Sequence, residues 1–290
     1  MRNLKDKVAV ITGAASGIGR ELAFCLADEG CSVALVDVDH SGLSHVHDLI
    51  ATKTPSVSMH NIDVGKREQV YTTADTIVSR HGGADILINS AAVVVVETIE
   101  DLTYEDFEWV MRVNFWGVVY TTKALLPHLK QRPEAHIVNI SSVDGLVPTP
   151  NSGPYCASKA AIRSFTDSLF QELHGTNVSV TCVVPGGVNT SLHRNARFFK
   201  NACLGMSQEE CIAFFEESAF TSAESAARAI MRAIQRDQTR ALVGLDARLI
   251  DLVARLMPVR STALAGHMTR NLNSRYFERL QRLIGKFALK

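Results

Sequence analysis

The sequence predicts a doubly wound α/β protein, in which a parallel sheet of about seven strands carries helices on both faces. Short apolar runs alternate with helical patterns along most of the 290 residues, which is typical of a parallel sheet. The runs are apolar throughout rather than alternately polar, as expected for strands covered on both sides. No repeat or linker interrupts the chain before residue 245. We therefore expect one domain over 1–245 and a helical extension over 246–290.

The first strand is predicted at Val8–Ile11, where four apolar residues follow a charged N-terminus. A helix from about Arg20 to Glu29 follows it and ends at Gly30, a residue type favoured after helices. Longer helical patterns run from Thr103 to Trp116, opened by a Thr103-x-x-Asp106 cap, and from Ala157 to Leu173. Further strands are predicted, in order, at 32–36, 57–62, 86–88, 137–140, 178–184 and 241–243.

Composition excludes several classes of protein. Apolar residues make up 46% and charged residues 21%, which fits a globular chain and argues against disorder. The 30 basic and 30 acidic residues give no basic excess, so we expect no nucleic-acid partner. The longest apolar run, Ala91–Val96, is far shorter than the roughly 18 residues of a membrane-spanning helix. The first seven residues have no signal-peptide pattern, and we expect a cytoplasmic location.

The cysteines and histidines predict neither disulfides nor a metal site. None of the six cysteines forms a Cys-x-x-Cys pair, and several lie within apolar periodic segments. We interpret them as reduced thiols. The ten histidines contain no His-Glu-x-x-His motif, and no metal is expected.

A glycine-rich turn between the first strand and the first helix predicts a phosphate site. It reads Thr12-Gly13-Ala14-Ala15-Ser16-Gly17-Ile18-Gly19, at the carboxyl end of a parallel strand, where ligands of such Rossmann-like sheets gather. Its glycines allow a tight turn and a close approach of backbone to a pyrophosphate. A plain strand-to-helix turn is the alternative, but one glycine usually suffices for that. We assign Gly13, Ser16, Gly17, Ile18 and Gly19 to cofactor binding.

Asp37 ends the second strand and predicts NAD as the cofactor. A carboxylate there can accept both ribose hydroxyls of the adenosine half and would repel a 2′-phosphate. Val38 follows it, and no Lys or Arg lies between the glycines of the turn, so nothing nearby offsets the charge of Asp37.

Tyr155 and Lys159 are four residues apart in a helical pattern, which places them on one helix face. A free tyrosine has a pKa of about 10 and is a poor base near neutrality. We expect the Lys159 ammonium to lower the pKa of Tyr155. Helices produce this spacing by chance, so the pair needs support from other motifs.

Further motifs follow the other predicted strands. They are Asp63-Val64, Asn89-Ser90-Ala91-Ala92, Asn114 in the long helix, Asn139-Ile140-Ser141-Ser142, with Ser142 thirteen residues before Tyr155, and Pro185-Gly186-Gly187-Val188-Asn189-Thr190. With these motifs in this order, the chain resembles the short-chain dehydrogenase/reductase family in its common form of about 250 residues. The resemblance runs from about Lys5 to Val243. It departs from the usual Asn-Asn-Ala-Gly motif at Ser90 and Ala92.

The resemblance implies a role for each motif. Tyr155 would be the general base in alcohol oxidation and the acid in carbonyl reduction, and Ser142, rather than Ser141, would bind the substrate oxygen. Lys159 would bind the nicotinamide ribose. The remaining implied roles are a relay water held by Asn114, adenine contacts by Asp63 and Val64, ribose-region contacts by Asn89 and Ala91, and carboxamide contacts by Val188 and Thr190. Relatives commonly form dimers or tetramers through the helix that carries Tyr155, so a homodimer or homotetramer is expected.

Residues 191–220 would form a lid over the substrate. The lid contains Leu192, Phe198, Phe199, Leu204, Met206, Phe214, Phe215 and Phe220. These side chains suit an apolar or ring-shaped secondary alcohol or its ketone, or they fasten the lid to the body. Arg194, Arg197 and Lys200 could meet an anionic group, although surface exposure accounts for them equally well.

The extension explains the zero net charge. Residues 246–290 hold nine basic and three acidic residues, against 21 basic and 27 acidic in the rest of the chain. Residues 246–257 form one helical pattern. Residues 275–289 form a basic amphipathic pattern, whose apolar face could cover the enzyme or a subunit, pack on a partner, or make a peripheral contact with a membrane.

Two function classes compete with the oxidoreductase. A catalytically silent dinucleotide-binding sensor or scaffold would be expected to lack one of Asn114, Ser142, Tyr155 or Lys159, and all four are present. A hydrolase is disfavoured because the chain has no Gly-x-Ser-x-Gly motif.

Overall fold

The computed structural model describes residue 1, residues 3–199 and residues 207–270. The amphipathic pattern at 275–289 lies outside the described residues. So do Lys200, Leu204 and Met206 of the predicted lid.

Seven parallel strands form the central sheet, in the order β11-β7-β6-β4-β1-β2-β3, which confirms the predicted fold class. In the middle of the sheet, Val10 pairs with Ala34 on one side and Leu87 on the other. The strands of the protein are β1 (Val8–Thr12), β2 (Ser32–Asp37), β3 (Val57–Asn61), β4 (Ile86–Asn89), β5 (Val95–Val96), β6 (Ala135–Ile140), β7 (Val178–Pro185), β8 (Val188–Asn189), β9 (Arg197–Phe198), β10 (Thr221–Ser222) and β11 (Arg240–Val243). The chain runs outward through β2 and β3 and then returns to β4 beside β1. The carboxyl ends of β1 and β4 therefore flank the switch point, where such sheets bind ligands.

Helices cover both faces of the sheet. They are α1 (Gly17–Asp28), α2 (His40–Ile50), α3 (Arg67–His81), α4 (Tyr104–Met111), α5 (Gly117–Leu129), α6 (Gly153–Leu173), α7 (Gln208–Glu217), α8 (Ala223–Gln235), α9 (Leu245–Leu256) and α10 (Arg260–Arg270). Ala9 and Ile11 of β1 pack with α1, α2 and α8, whereas Val10 packs with α3, α5 and α6. Strands that are buried on both faces in this way explain the uniformly apolar runs of the sequence.

The predicted helix from Thr103 to Trp116 is not one α-helix, and this corrects the prediction. Its start is as expected, because the Thr103 side chain accepts a hydrogen bond from the Asp106 backbone at 3.1 Å. After Met111, however, the chain forms a π-helical turn over Arg112–Trp116. A π turn commonly marks a functional site.

Two other helices begin earlier than predicted. Helix α1 starts at Gly17, because the end of the glycine-rich turn is already helical. Helix α6 starts at Gly153 with Pro154 in its first turn, where a missing N–H group costs nothing. Tyr155 therefore lies inside the first turn of α6.

Two short parallel pairs lie outside the central sheet. Val95 and Val96 of β5 pair with β9, which ties the valine run after β4 to the lid. Strand β8 pairs with β10, which joins the segment after β7 to the start of α8. Both pairs border the carboxyl ends of the central strands.

His136 is a fully buried titratable residue of β6. Its Nε2 atom lies 2.7 Å from the Thr181 hydroxyl on β7. Burial lowers the pKa of His136 to about 4. The residue is therefore neutral in the folded protein near pH 7.

Helix α9 confirms the helical pattern predicted after residue 245, but much of its apolar face is exposed. Leu249, Leu252 and Leu256 lie on the surface, with Leu256 73% exposed. Within the described ranges, every helix is too short or too polar to span a membrane.

Candidate active site

One cavity of about 1080 Å³ opens at the carboxyl ends of the central strands. Its size lies slightly above the usual range for ligand pockets, which leaves room for a dinucleotide and a small substrate. Thirteen of the predicted site residues line it: Gly13, Ser16, Gly17, Ile18, Asp37, Asp63, Val64, Ala91, Ser142, Tyr155, Lys159, Val188 and Thr190. Gly19, Asn89 and Asn114 do not line the cavity and lie behind its wall.

The glycines of the turn are required by close backbone contacts. Gly13 has a φ of +69°, and a Cβ atom placed on it would lie 2.7 Å from the Ala91 backbone nitrogen. A Cβ atom on Gly19 would lie 2.1 Å from the carbonyl oxygen of Gly13. Gly17 also has a left-handed φ of +54° and lies next to the side chain of Thr190, which a Cβ atom on Gly17 would approach to 3.2 Å. The turn thus leaves a backbone-lined cradle at the start of α1, as dinucleotide binding requires.

Asp37 lies at the edge of this cradle and helps to hold it. Its Oδ2 atom accepts a hydrogen bond from the Ala15 backbone at 3.0 Å, and its Oδ1 atom accepts one from the Asp39 backbone at 3.0 Å. Each carboxylate oxygen can accept a second bond, so a ribose hydroxyl can still be bound. Among the described residues that line the cavity, Lys159 is the one Lys or Arg.

A buried polar network supports the wall at the end of β4. Asn89 donates a hydrogen bond to Asn139 at 2.8 Å and accepts one from Thr121 at 2.7 Å. The hydroxyl of Thr12 accepts hydrogen bonds from the Ser90 and Ala91 backbones at 3.1 and 3.2 Å. The Asn89 side chain is therefore turned away from the ribose region expected for it, and it fixes the loop that carries Ala91. The sequence analysis did not assign this supporting role to Thr12 and Asn139. The available signal was that each is a polar residue near the end of an otherwise apolar strand.

Asn114 is buried in the π turn, and both protons of its side-chain amide are used. It accepts a hydrogen bond from the Val93 backbone at 2.8 Å and donates to the Val93 carbonyl at 3.0 Å. Its second amide proton bonds the Ser158 hydroxyl at 3.1 Å. Because both amide protons are used, a relay water would need a group other than this NH2.

Helix α6 brings Tyr155 and Lys159 together, as the spacing predicts. The Lys159 Nζ atom lies 5.4 Å from the centre of the Tyr155 ring. It also donates a hydrogen bond to the Ile140 carbonyl at the end of β6, at 2.9 Å. Lys159 is only 3% exposed, and burial lowers its pKa to about 8.

The two neighbouring serines point to different partners. Ser141 donates a hydrogen bond to the Lys159 carbonyl at 2.7 Å and so ties β6 to α6. Ser142 is hydrogen-bonded to Tyr155 instead. The choice of Ser142 over Ser141 as the substrate-binding serine remains a prediction, and this geometry favours it.

Sequence reasoning missed the part that Asp144 plays beside Ser142. The Ser142 hydroxyl donates to Asp144 Oδ2 at 3.2 Å and accepts from the Asp144 backbone at 3.1 Å. The Thr149 hydroxyl donates to the other oxygen of Asp144 at 3.2 Å. Burial raises the pKa of Asp144. An acidic residue two positions after a candidate serine was the signal available in the sequence.

The environment of Tyr155 differs from the expectation. Burial raises the pKa of Tyr155, the negative charge of Asp144 raises it further, and the hydrogen bond with Ser142 acts in the opposite direction. The net effect of the described residues is an increase, whereas the sequence predicted a decrease caused by Lys159. Tyr155 is therefore protonated at neutral pH in the protein alone.

The described part of the wall around Tyr155 that the lid and the valine run form is apolar and neutral. Val94, Val96, Leu192 and Phe215 pack around Tyr155 in a small cluster. His193 stacks on Phe215 with ring centres 4.0 Å apart, and burial lowers the pKa of His193 to about 4. A neutral histidine against an aromatic ring adds no charge to this wall.

The two described cations of the lid already have partners. Arg194 forms an ion pair with Glu216. Arg197 forms one with Asp106 at 2.6 Å, and its guanidinium lies 3.7 Å from the centre of the Trp109 ring. Neither arginine lines the cavity. Phe199 and Phe220, by contrast with Phe215, are exposed.

Within the described ranges, no group of three or more His, Cys, Asp or Glu side chains could hold a metal ion. The five described cysteines form no disulfide.

Comparison with known proteins places these features in a family. A family model described as "short chain dehydrogenase" matches residues 7–200. A putative oxidoreductase, SadH, of Mycobacterium tuberculosis is 40% identical over 260 residues, which cover 89% of this chain and 93% of the relative. An uncharacterized oxidoreductase of Staphylococcus saprophyticus is 40% identical over 193 residues, covering 66% of this chain and 82% of the relative.

A solved structure has the same architecture. It is a short-chain dehydrogenase/reductase from Burkholderia phymatum in complex with NAD, 28% identical, with a TM-score of 0.81. The match covers 88% of this chain and 96% of that one.

Proposed function

The chain belongs to the short-chain dehydrogenase family of oxidoreductases, and from that premise we propose that it interconverts a secondary alcohol and its ketone with NAD. One observation carries the proposal. Ser142, Tyr155 and Lys159 line the same cavity as the glycine-rich turn and Asp37, so a substrate oxygen and a dinucleotide would share one enclosed space.

The cavity fits the dinucleotide in three respects. The glycine cradle at the start of α1 suits a pyrophosphate. The Asp37 carboxylate suits the ribose hydroxyls and opposes a 2′-phosphate, for which the described cavity residues offer no cation near Asp37. The relative from Burkholderia phymatum, which binds NAD, has the same fold. Bound NAD would supply the acceptor or donor of the hydride.

Tyr155 is the proton donor or acceptor in this proposal. Its raised pKa keeps the phenol protonated near pH 7, which prepares it to act as an acid in carbonyl reduction. Oxidation of an alcohol requires the phenolate, so it should be favoured by higher pH. Ser142, hydrogen-bonded to Tyr155, would hold the substrate oxygen beside the phenol once its single proton turns from Asp144 to that oxygen.

The substrate class follows from the opposite wall. Val94, Val96 and Phe215 are apolar, His193 is neutral, and Arg194 and Arg197 have carboxylate partners. Among the described residues, a carboxylate buried against this wall would have no partner and would be unfavourable. The substrate is therefore a neutral, apolar alcohol or ketone rather than an acidic one.

A matched substrate panel tests the proposal. Neutral ketones and keto acids of equal chain length are compared with NADH and NADPH by nicotinamide absorbance. We expect turnover with NADH and a kcat/KM at least about tenfold higher for the neutral member of each pair. Absence of turnover with every pair in either direction would refute the proposed alcohol–ketone interconversion, and equal use of keto acids would refute the substrate class.

A variant tests the assignment of Tyr155. Tyr155→Phe removes the phenolic proton and preserves the ring, so it should reduce kcat by about 100-fold or more while NADH still binds. Retention of wild-type turnover in this variant would remove Tyr155 from the mechanism.

A further inference from the structure

The C-terminal extension contacts the cavity wall through Asp246, the second residue of α9. Asp246 Oδ2 accepts a hydrogen bond from the backbone N–H of Gly187 at 2.6 Å. Gly187 lines the cavity at the end of β7, directly before Val188. The contact therefore joins the extension to the segment proposed to hold the cofactor.

Two glycines make room for this carboxylate. A Cβ atom on Gly186 would lie 2.0 Å from Asp246 Oδ2, and one on Gly244 would lie 2.3 Å from Asp246 Oδ1. Gly244 also has a left-handed φ of +102°. Side chains at either position would displace the Asp246 carboxylate from Gly187.

Helix capping alone does not account for this arrangement. An acidic residue in the first turn of a helix interacts favourably with the helix dipole, but this interaction does not require the carboxylate to be buried. Asp246 Oδ1 is instead shielded from solvent and has no hydrogen-bond partner among the described residues. Burial of a carboxylate oxygen without a partner is unfavourable, so the contact with Gly187 has to offset it.

The contact also sets the direction of one peptide group. In a trans peptide the carbonyl points opposite to the N–H, and the described residues contain no cis peptide. The bond to Asp246 thus turns the Gly186 carbonyl away from α9. The same two glycines are held by a bond from the Gly186 backbone to the Val243 carbonyl at 2.9 Å and by one from the Thr221 backbone to the Gly187 carbonyl at 3.2 Å.

We propose that Asp246 is a positioning residue that fixes the Gly186–Gly187 peptide in the cavity wall and thereby sets the affinity for the dinucleotide. Glycine backbones have the widest conformational freedom, so this segment has most to gain from an external restraint. The proposal rests on the proposed function, because the wall matters to the dinucleotide only if one binds there.

Two readouts on the full chain test it. Asp246→Asn keeps the volume and replaces a charged acceptor with a neutral one, which bonds about half as strongly. We expect faster hydrogen exchange at the Gly187 amide in the free protein and a Kd for NADH raised about fivefold, with a larger rise in Asp246→Ala. Asp251→Asn is the matched control, because it removes another carboxylate of α9 that pairs with Arg255 and is not bonded to the segment after β7.

The outcomes separate this inference from the proposed function. Unchanged exchange at Gly187, an unchanged Kd, or equal effects in Asp251→Asn would overturn the assignment of Asp246. A wild-type chain that binds neither NADH nor NADPH would refute the proposed function, and with it the affinity part of this inference. The exchange rate would then decide whether Asp246 fixes the peptide.

Discussion

The Ser142 hydroxyl donates a hydrogen bond to the carboxylate of Asp144, with 3.2 Å between Ser142 Oγ and Asp144 Oδ2. A hydroxyl carries a single proton, so Ser142 cannot donate to a substrate oxygen while it donates to Asp144. The same carboxylate raises the pKa of Tyr155. Asp144 thus acts on both residues that are proposed to meet the substrate oxygen.

Asp144→Asn should shift the pH profile of alcohol oxidation to lower pH. Removal of the negative charge lowers the pKa of Tyr155 relative to the wild type, so the phenolate forms at lower pH. The measurement is kcat/KM with NAD between about pH 6 and pH 10. Thr149→Val is the control, because it deletes a hydrogen bond to Asp144 and keeps the charge. An identical profile in wild type and Asp144→Asn would show that this charge does not act on the catalytic group.

The serine pair should divide into one catalytic and one structural residue. Ser142→Ala should lower kcat by about 100-fold, the usual effect of losing one donor to a developing oxyanion. Ser141→Ala loses the bond to the Lys159 carbonyl, so it should lower the free energy of unfolding by about 1 kcal/mol. Steady-state kinetics and urea unfolding of both variants provide the test. A larger kinetic loss in Ser141→Ala than in Ser142→Ala would reverse the assignment.

Asp37→Ser should weaken the preference for NADH over NADPH. The substitution removes the charge that opposes a 2′-phosphate, and we expect the ratio of the two kcat/KM values to fall by about tenfold or more. Asp37 also accepts a hydrogen bond from Ala15, so the Kd for NADH should rise. Asp39→Ser serves as control, since it changes a nearby carboxylate that caps α2. A wild-type enzyme that uses both cofactors equally would contradict the reasoning from Asp37.

Gly13→Ala and Gly82→Ala form a matched pair. Both glycines are left-handed, with φ values of +69° and +74°, so both substitutions strain the backbone by about 1–2 kcal/mol. Only the Gly13 variant also forces a Cβ atom to within 2.7 Å of the Ala91 backbone, whereas nothing lies within 4 Å of the Gly82 position. Urea unfolding should show the larger loss for Gly13→Ala, accompanied by weaker NADH binding. Equal losses would mean that the contact with Ala91 is easily relaxed.

Acid should destabilise the protein partly through His136. Its pKa is about 4 in the folded state and about 6.5 in the unfolded state, so the unfolded chain binds more protons between these values. The contribution of neutral His136 to the free energy of unfolding is therefore fully present above about pH 6.5. It declines towards pH 4, by up to about 3 kcal/mol. Urea unfolding at several pH values measures the decline. His136→Asn should reduce its slope, and the remainder should come from His60 and His193, whose pKa values are also lowered by burial.

The sequence patterns predicted those features of the structure that depend on local backbone geometry or on the burial of entire strands. Runs such as Val8–Ile11 are apolar because both faces of the strand are covered. The strand order of the sheet is the one that crossover connections between parallel strands commonly produce. The pair Tyr155 and Lys159 was predictable because four residues make about one helical turn. The glycine-rich turn was predictable for a different local reason, because close contact between backbone segments requires glycine.

Contacts between distant residues were not predictable in this way. The π turn coincides with hydrogen bonds between Asn114 and Val93, which lie 21 positions apart. The raised pKa of Tyr155 depends on burial, which the surrounding elements create together. Asp246 contacts Gly187 across 59 positions. No local pattern carries such information.

The π turn at Arg112–Trp116 changes the rotational phase of the polypeptide. Each residue advances an α-helix by about 100°, so one extra residue in a turn rotates everything after it by roughly that angle. This offset lets α4 face α6 while α5, which follows directly after the π turn, faces α3. Deletion of a single residue here would rotate α5 relative to α4 and turn one of the two apolar faces towards water. The number of residues in this segment therefore decides whether both helices can pack on their neighbours at once.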